Sequence, residues 1–184
     1  MREGMKLAVT LMLICGLAGL ALSFVNEFTS GRIAQEQERR LAGSLSSALA
    51  AEDYLELEDV TAQLREQERF ADLLAIWETK NPAGYVVQVA PTGYGGRINC
   101  LVGISQAGVI QGVVINQHSE TPGLGSKIVE DSFLDQYKGN KAGQKLAVKN
   151  DGGKIAAVSG ATVSSRAVTA GVNTALAVFE EVSK

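Results

Sequence analysis

Ser159-Gly160-Ala161-Thr162-Val163-Ser164-Ser165 puts four hydroxyls and a glycine within seven residues. The run follows Lys154–Val158, which predicts a short strand. It opens a stretch in which Val168, Val172, Ala175, Leu176, Phe179 and Val182 recur at helical spacing. A strand-to-helix turn of small residues is a place where a polypeptide can hold a phosphate. The first N–H groups of the helix are free, and its dipole favours an anion there. Gly160 and Ala161 lack the bulk that would keep a large phosphate ester away from the backbone. Thr162 offers a hydroxyl, and Ser164 or Ser165 is expected to cap the helix. On residue types alone, a plain helix cap and an anion site both remain open. A nucleotide-binding loop of the Walker type is excluded by the missing lysine. A serine hydrolase is disfavoured, because the sole histidine, His118, has no nucleophile elbow to serve.

Two other glycine-rich loops lie upstream. Gly93-Tyr94-Gly95-Gly96 belongs to the link between two expected strands. Glu120-Thr121-Pro122-Gly123-Leu124-Gly125 follows a third. Pro122 fixes one dihedral, and the glycines permit positive φ or close backbone approach.

The elements that position these loops are legible in outline. Asn81-Pro82-Ala83-Gly84 is a turn signal. Tyr85–Ala90, Ile98–Ser105 and Val109–Asn116 are rich in valine and isoleucine and predict strands. Their short links predict antiparallel pairing. A short helix is expected near Val129–Tyr137, a strand over Gln144–Lys149 and a turn at Asn150–Gly153. The expected fold class is α+β: a transmembrane helix, a helical connector, then a mainly antiparallel sheet with helices.

Leu7–Val25 carries no charge and spans roughly 30 Å as a helix, the thickness of a bilayer core. It is longer than the apolar region of a secretory signal and lacks a clear small-x-small cleavage site, so a retained anchor over residues 1–28 is expected. Arg2 and Lys6 flank one end. Arg32, Arg39 and Arg40 flank the other, so charge alone does not orient the span. Residues 29–80 read as a helical connector. Thr29 or Ser30 is expected to cap a helix to about Ala51, with Ile33, Leu41, Leu45, Ala48 and Leu49 on its apolar face. Glu52–Asp59 reads as loop. A second helix is expected over Val60–Thr79, from the spacing of Leu64, Phe70, Leu73, Leu74 and Trp77, with Trp77 in the core. Residues 81–184 are the third part.

The chain has 184 residues and a net charge of -3, which gives nucleic acid no purchase. Cys15 and Cys100 sit in different parts of the sequence, so no disulfide is expected. Two cysteines and one histidine are too few for a zinc site.

With all three loops in hand, Ser159–Ser165 resembles the flavinylation motif of the FMN-binding domain family. Glu120–Gly125 resembles that family's second signature, and Gly93–Gly96 a third. They occur in the family's order, and the pattern with the membrane segment is most similar to the G subunits of Rnf-type electron-transport complexes. The C subunit of the sodium-pumping quinone reductase is a relative. The resemblance implies FMN joined through its phosphate to Thr162 by a separate flavin transferase. It also implies a soluble domain outside the cytoplasmic membrane, other members of the complex as partners, and an electron carrier with no catalytic residue of its own. Ser159, Gly160, Ala161, Val163 and Ser164 would then shape the phosphate pocket. Glu120, Thr121, Pro122, Gly123, Leu124 and Gly125, with Gly93, Tyr94, Gly95 and Gly96, would line the ring or ribityl side. Ala156 stands where the family motif has an aspartate. A quinone-reductase component, a stand-alone extracytoplasmic reductase and a non-redox anchored scaffold that binds an anion reversibly are the competing readings.

Overall fold

The computed structural model describes residues 2–184; Met1, first in the expected anchor, lies outside them. The chain divides into two units, residues 1–40 and the compact unit of residues 41–184.

The first unit belongs to helix α1, which runs without interruption over Arg2–Ala48. Within it, Gly4–Ala48 is long and apolar enough to cross a membrane. Thr29 and Ser30 do not cap a new helix, which corrects the expectation. Their hydroxyls donate instead to the carbonyls of Val25 and Glu27 one turn back. No proline interrupts residues 24–48, and both hydroxyls can bond backwards within the helix. Ile33, expected on the apolar face, is exposed.

The second unit is built on a five-stranded antiparallel sheet in the order β1-β2-β3-β4-β5. Its strands are β1 (Leu55–Glu56), β2 (Leu73–Lys80), β3 (Ala83–Val89), β4 (Asn99–Ser105) and β5 (Ile110–Gln117). Three of these match the expected valine- and isoleucine-rich strands. β2 replaces the second half of the helix expected over Val60–Thr79. Only α2, Glu58–Arg65, is helical there, followed by a short turn at Glu68–Phe70. A register shift between Leu73 and Ala75 breaks the alternation along β2, so its apolar residues mimic helical spacing. The residues read as connector from 41 to 80 therefore fold with the sheet.

Both faces of the sheet are covered, which explains the nearly continuous apolar runs in β3 and β4. On one face, Leu45, Ala48 and Leu49 pack with Ala75, Trp77, Val86 and Leu101. Gly103 and Gly112 face each other across β4 and β5, and a methyl on either would run into the Ala48 carbonyl. This glycine pair forms the notch that seats the helix end. On the other face lie the four-residue α3, Asp131–Leu134, and the long helix α4, Thr162–Val182. From α4, Val168, Val172, Ala175, Leu176 and Phe179 join Tyr85, Val87, Val89, Cys100, Val102 and Ile104 in the main core. Each fully buried valine, leucine or phenylalanine supplies roughly 1.5–3 kcal/mol, which fixes α4 on the sheet.

Between β5 and α4 the backbone is mostly irregular. The helix expected near Val129–Tyr137 is a broken run: a turn at Gly125–Val129, then α3, then a turn at Asp135–Tyr137. The strands expected over Gln144–Lys149 and Lys154–Val158 are absent. A lone parallel bridge, Val148 to Ile155, is all that joins them, because so short a link between the two segments cannot extend a parallel ladder.

Candidate functional site

α4 begins at Thr162, with Ala161 as its N-cap residue and no side-chain cap. The expected caps, Ser164 and Ser165, lie inside the first turn and are committed elsewhere. Ser165 Oγ donates to the Ala161 carbonyl at 2.9 Å and accepts the Val158 N–H at 3.0 Å. Ser164 Oγ donates to Glu120 Oε2 at 2.6 Å and is 1% exposed. The uncapped first turn thus leaves the opening N–H groups of α4 free for an outside acceptor.

The hydroxyls of the motif are sorted by these bonds. Ser164 and Ser165 are spent. Ser159 is exposed and lines a separate hollow with Gln136, Ala156 and Lys127. Thr162 is half-buried and lines an open groove of about 540 Å³. Its hydroxyl has no partner among the described residues.

Tyr94, Glu120, Thr121, Leu124, Gly125, Gly160, Ala161, Val163 and Ser164 line the groove with Thr162. Residues from all three glycine-bearing loops therefore meet on one cavity. Glu120 is the point where they join. It is 5% exposed, and its Oε1 accepts the Gly95 N–H at 3.1 Å while Oε2 takes the Ser164 hydroxyl. A methyl on Gly93 would overlap Glu120 Oε1, one on Gly95 the Ser119 carbonyl, and one on Gly125 would lie 2.8 Å from Glu120 Oε2. Those glycines are small because the backbone closes on this carboxylate. The Glu120 N–H is itself taken by His118 Nδ1 at 3.2 Å, so the lone histidine supports the loop.

Six expected site residues do not line the groove. Gly93, Gly95 and Gly96 form the loop that carries Tyr94 to its mouth, and Gly93 and Gly95 pack behind it against Glu120 and Ser119. Pro122 and Gly123 shape the exposed turn before Leu124, with φ of +77° at Gly123. Ser159 faces the other hollow. The rim of the groove is apolar and exposed, with Tyr94 at 76% and Leu124 and Val163 close to half.

The electrostatics are set by position. No lysine or arginine is among the residues lining the groove, and Glu120 is its only acid. Arg166, one turn along α4, is paired with Asp151 through two bonds of 2.6 and 2.7 Å. Hydrogen bonding from Arg166 holds the Asp151 carboxyl below the ordinary aspartate range. Cys100 lies at the back of the core, where burial pushes its thiol up to about 12 and makes it unreactive. Burial likewise raises the Tyr137 hydroxyl, which shares a 2.8 Å bond with Thr169.

Gln136 is a site-adjacent residue that no motif marks. Its Oε1 accepts the Ala156 N–H at 2.7 Å and its Nε2 donates to the Ala156 carbonyl at 3.2 Å. No sequence signal points to it, because the bond spans 20 residues between irregular segments.

Comparisons with known proteins agree with this geometry. The model of the FMN-binding domain matches residues 93–177, which take in all three loops. The G subunit of the Na(+)-translocating ferredoxin:NAD(+) oxidoreductase complex of Acetobacterium woodii is 34% identical over 97% of this chain and 93% of its own. The G subunit of the ion-translocating oxidoreductase complex of Pseudomonas aeruginosa is 32% identical over 97% and 90%. The crystal structure of the C subunit of the Na(+)-translocating NADH-quinone reductase from Parabacteroides distasonis has the same fold, with a TM-score of 0.50 and 22% identity over 60% of this chain and 61% of that one. The chain belongs to the family of ion-translocating oxidoreductase complex G subunits and carries their FMN-binding domain.

Proposed function

We propose that this protein is a single-pass membrane flavoprotein that carries electrons within an Rnf-type ion-translocating oxidoreductase complex, with FMN joined through its phosphate to Thr162. The observation that carries the reading is the sorting of hydroxyls. Of the four in the motif, only that of Thr162 is both unpartnered and in the groove onto which the three loops converge.

The residues present fit the group. The free N–H groups of Thr162, Val163 and Ser164 at the opening of α4 suit phosphate oxygens. Tyr94, Leu124 and Val163 offer an apolar rim to a flat ring system. A magnitude favours attachment over reversible binding of the phosphate. A helix terminus contributes at most about 2 kcal/mol to an anion, whereas even millimolar retention needs about 4 kcal/mol. No cation lines the groove to supply the difference, and the Glu120 carboxylate works against a second anion. An ester through Thr162 removes the need for that affinity and leaves the ring at an open rim.

When bound, the flavin supplies the electron uptake and release. The chain's own residues hold it: Thr162 by the ester, the first turn of α4 by its N–H groups, and Glu120 by keeping the loops together. The first helix anchors the protein in lipid and meets the other members of the complex. The compact unit lies on the extracytoplasmic side, and a flavin transferase installs the group there. Peptide mass spectrometry of protein produced with such a transferase tests the assignment. The flavin phosphoryl adduct should fall on Thr162; an adduct on Ser159, or none, would sink it.

A further inference from the structure

We infer that Gln136 is a positioning residue that sets the path of residues 156–161 and so presents the Thr162 hydroxyl for modification. The inference rests on the reading of Thr162 as the attachment point.

The segment that delivers Thr162 has little backbone support. The last strand-like contact before it is the lone bridge at Ile155, and α4 starts only at Thr162. Two side chains hold what lies between. Ser165 takes the Val158 N–H and the Ala161 carbonyl. Gln136 takes both backbone groups of Ala156, much as a neighbouring strand would, and a third contact of 3.3 Å to the Phe133 carbonyl fixes the orientation of its amide. Gln136 is itself held firmly. Phe133, Leu134 and Tyr137, from the same short helical run, are buried in the main core. The clasp therefore ties the start of the segment to the core, as Ser165 ties its end to α4.

Without the clasp the Ala156 N–H and carbonyl turn to solvent through the adjoining hollow of about 320 Å³, which Gln136, Ala156 and Ser159 line. The core face of α4 is untouched. The consequence is local, a looser approach to Thr162 in an otherwise folded domain.

The test uses the full chain in detergent, prepared without flavin, with a purified flavin transferase and a flavin dinucleotide. In that reaction the Thr162 Oγ1–P bond forms, the P–O bond of the anhydride breaks, the nucleoside monophosphate leaves and the hydroxyl proton passes to solvent. Covalent flavin is followed against acceptor-protein concentration. Gln136→Met should lower kcat roughly tenfold, because small displacements of a reacting atom are costly. The KM for the acceptor should stay within about twofold, since Gln136 acts through Ala156 and not through the transferase. Gln136→Glu keeps an acceptor for the Ala156 N–H and should fall between wild type and Gln136→Met. Amide exchange of Ala156 should quicken in Gln136→Met while Val172 and Val178 stay protected. An unchanged kcat in both variants, or a raised KM with kcat intact, overturns the inference. If Gln136→Met loses protection along α4, the Gln136→Glu result decides. If wild type takes up no covalent flavin, the Thr162 reading fails, and exchange at Ala156, with that at the bonded amides of Val158 and Ala161, decides the role of Gln136 alone.

Discussion

Replacing Ser164 by alanine tests whether Glu120 holds the site together. The substitution removes one oxygen and creates no clash. It takes away the 2.6 Å donor of a carboxylate that is 5% exposed and that keeps only the Gly95 N–H. A hydrogen bond to a charged group contributes about 1.5–3 kcal/mol, and the buried oxygen has little access to replacement water. For a unit of this size each kcal/mol moves the midpoint by about 3 °C, so Tm should fall by about 5–9 °C. The single tryptophan, Trp77, is buried in β2, and its fluorescence reports unfolding of the compact unit directly. Thr174→Ala is the control. It removes a hydroxyl bonded to the Ala170 carbonyl on the exposed side of α4 and should cost no more than about 0.5 kcal/mol. A double-mutant cycle with Glu120→Gln should show coupling of at least about 1 kcal/mol between the two positions. A Ser164→Ala protein no less stable than the Thr174→Ala control, with no coupling to Glu120, would refute the role given to this carboxylate.

Gly95→Ala should disrupt the groove by a different route, since the added methyl meets the backbone carbonyl of Ser119 and cannot turn away. The expected cost is about 1–3 kcal/mol in chemical denaturation, with weaker covalent flavin labelling, and a neutral result would show that the loop has slack. Asp151 gives a pH signature. Its folded pKa is depressed by Arg166, so the pair's contribution is present above the ordinary aspartate value and is lost as pH falls through the lower, folded one. Arg166→Met should return the Asp151 carboxyl toward its ordinary titration, read by NMR, with little change in stability at neutral pH because the pair is exposed.

The parts of this fold that can be read directly are those governed by local rules. β3, β4 and β5 alternate or run apolar between short turns, and α4 carries an apolar stripe. The three glycine loops stand out because close approach at Gly93, Gly95 and Gly125, or positive φ at Gly96, Gly123 and Gly160, requires glycine there. What escapes depends on partners distant in sequence. β2 is hidden by its register shift, which gives its apolar residues a helical rhythm. Thr29 and Ser30 look like caps until the helix runs through them. Ser164 and Ser165 look like caps until α4 starts ahead of both, at Thr162. By motif alone Glu120 belongs on the ring or ribityl side of a ligand. Its two acceptor bonds reach 25 and 44 residues away, to Gly95 and Ser164, and no spacing rule shows that. Gln136 lies outside every motif for the same reason.

What matters most is whether Thr162, and no other hydroxyl in the motif, carries the flavin. Protein produced together with a flavin transferase, denatured and run on a gel, should give a fluorescent band in wild type and in Ser159→Ala, and none in Thr162→Val. A band that persists in Thr162→Val, or a colourless wild-type protein made beside an active transferase, would contradict it.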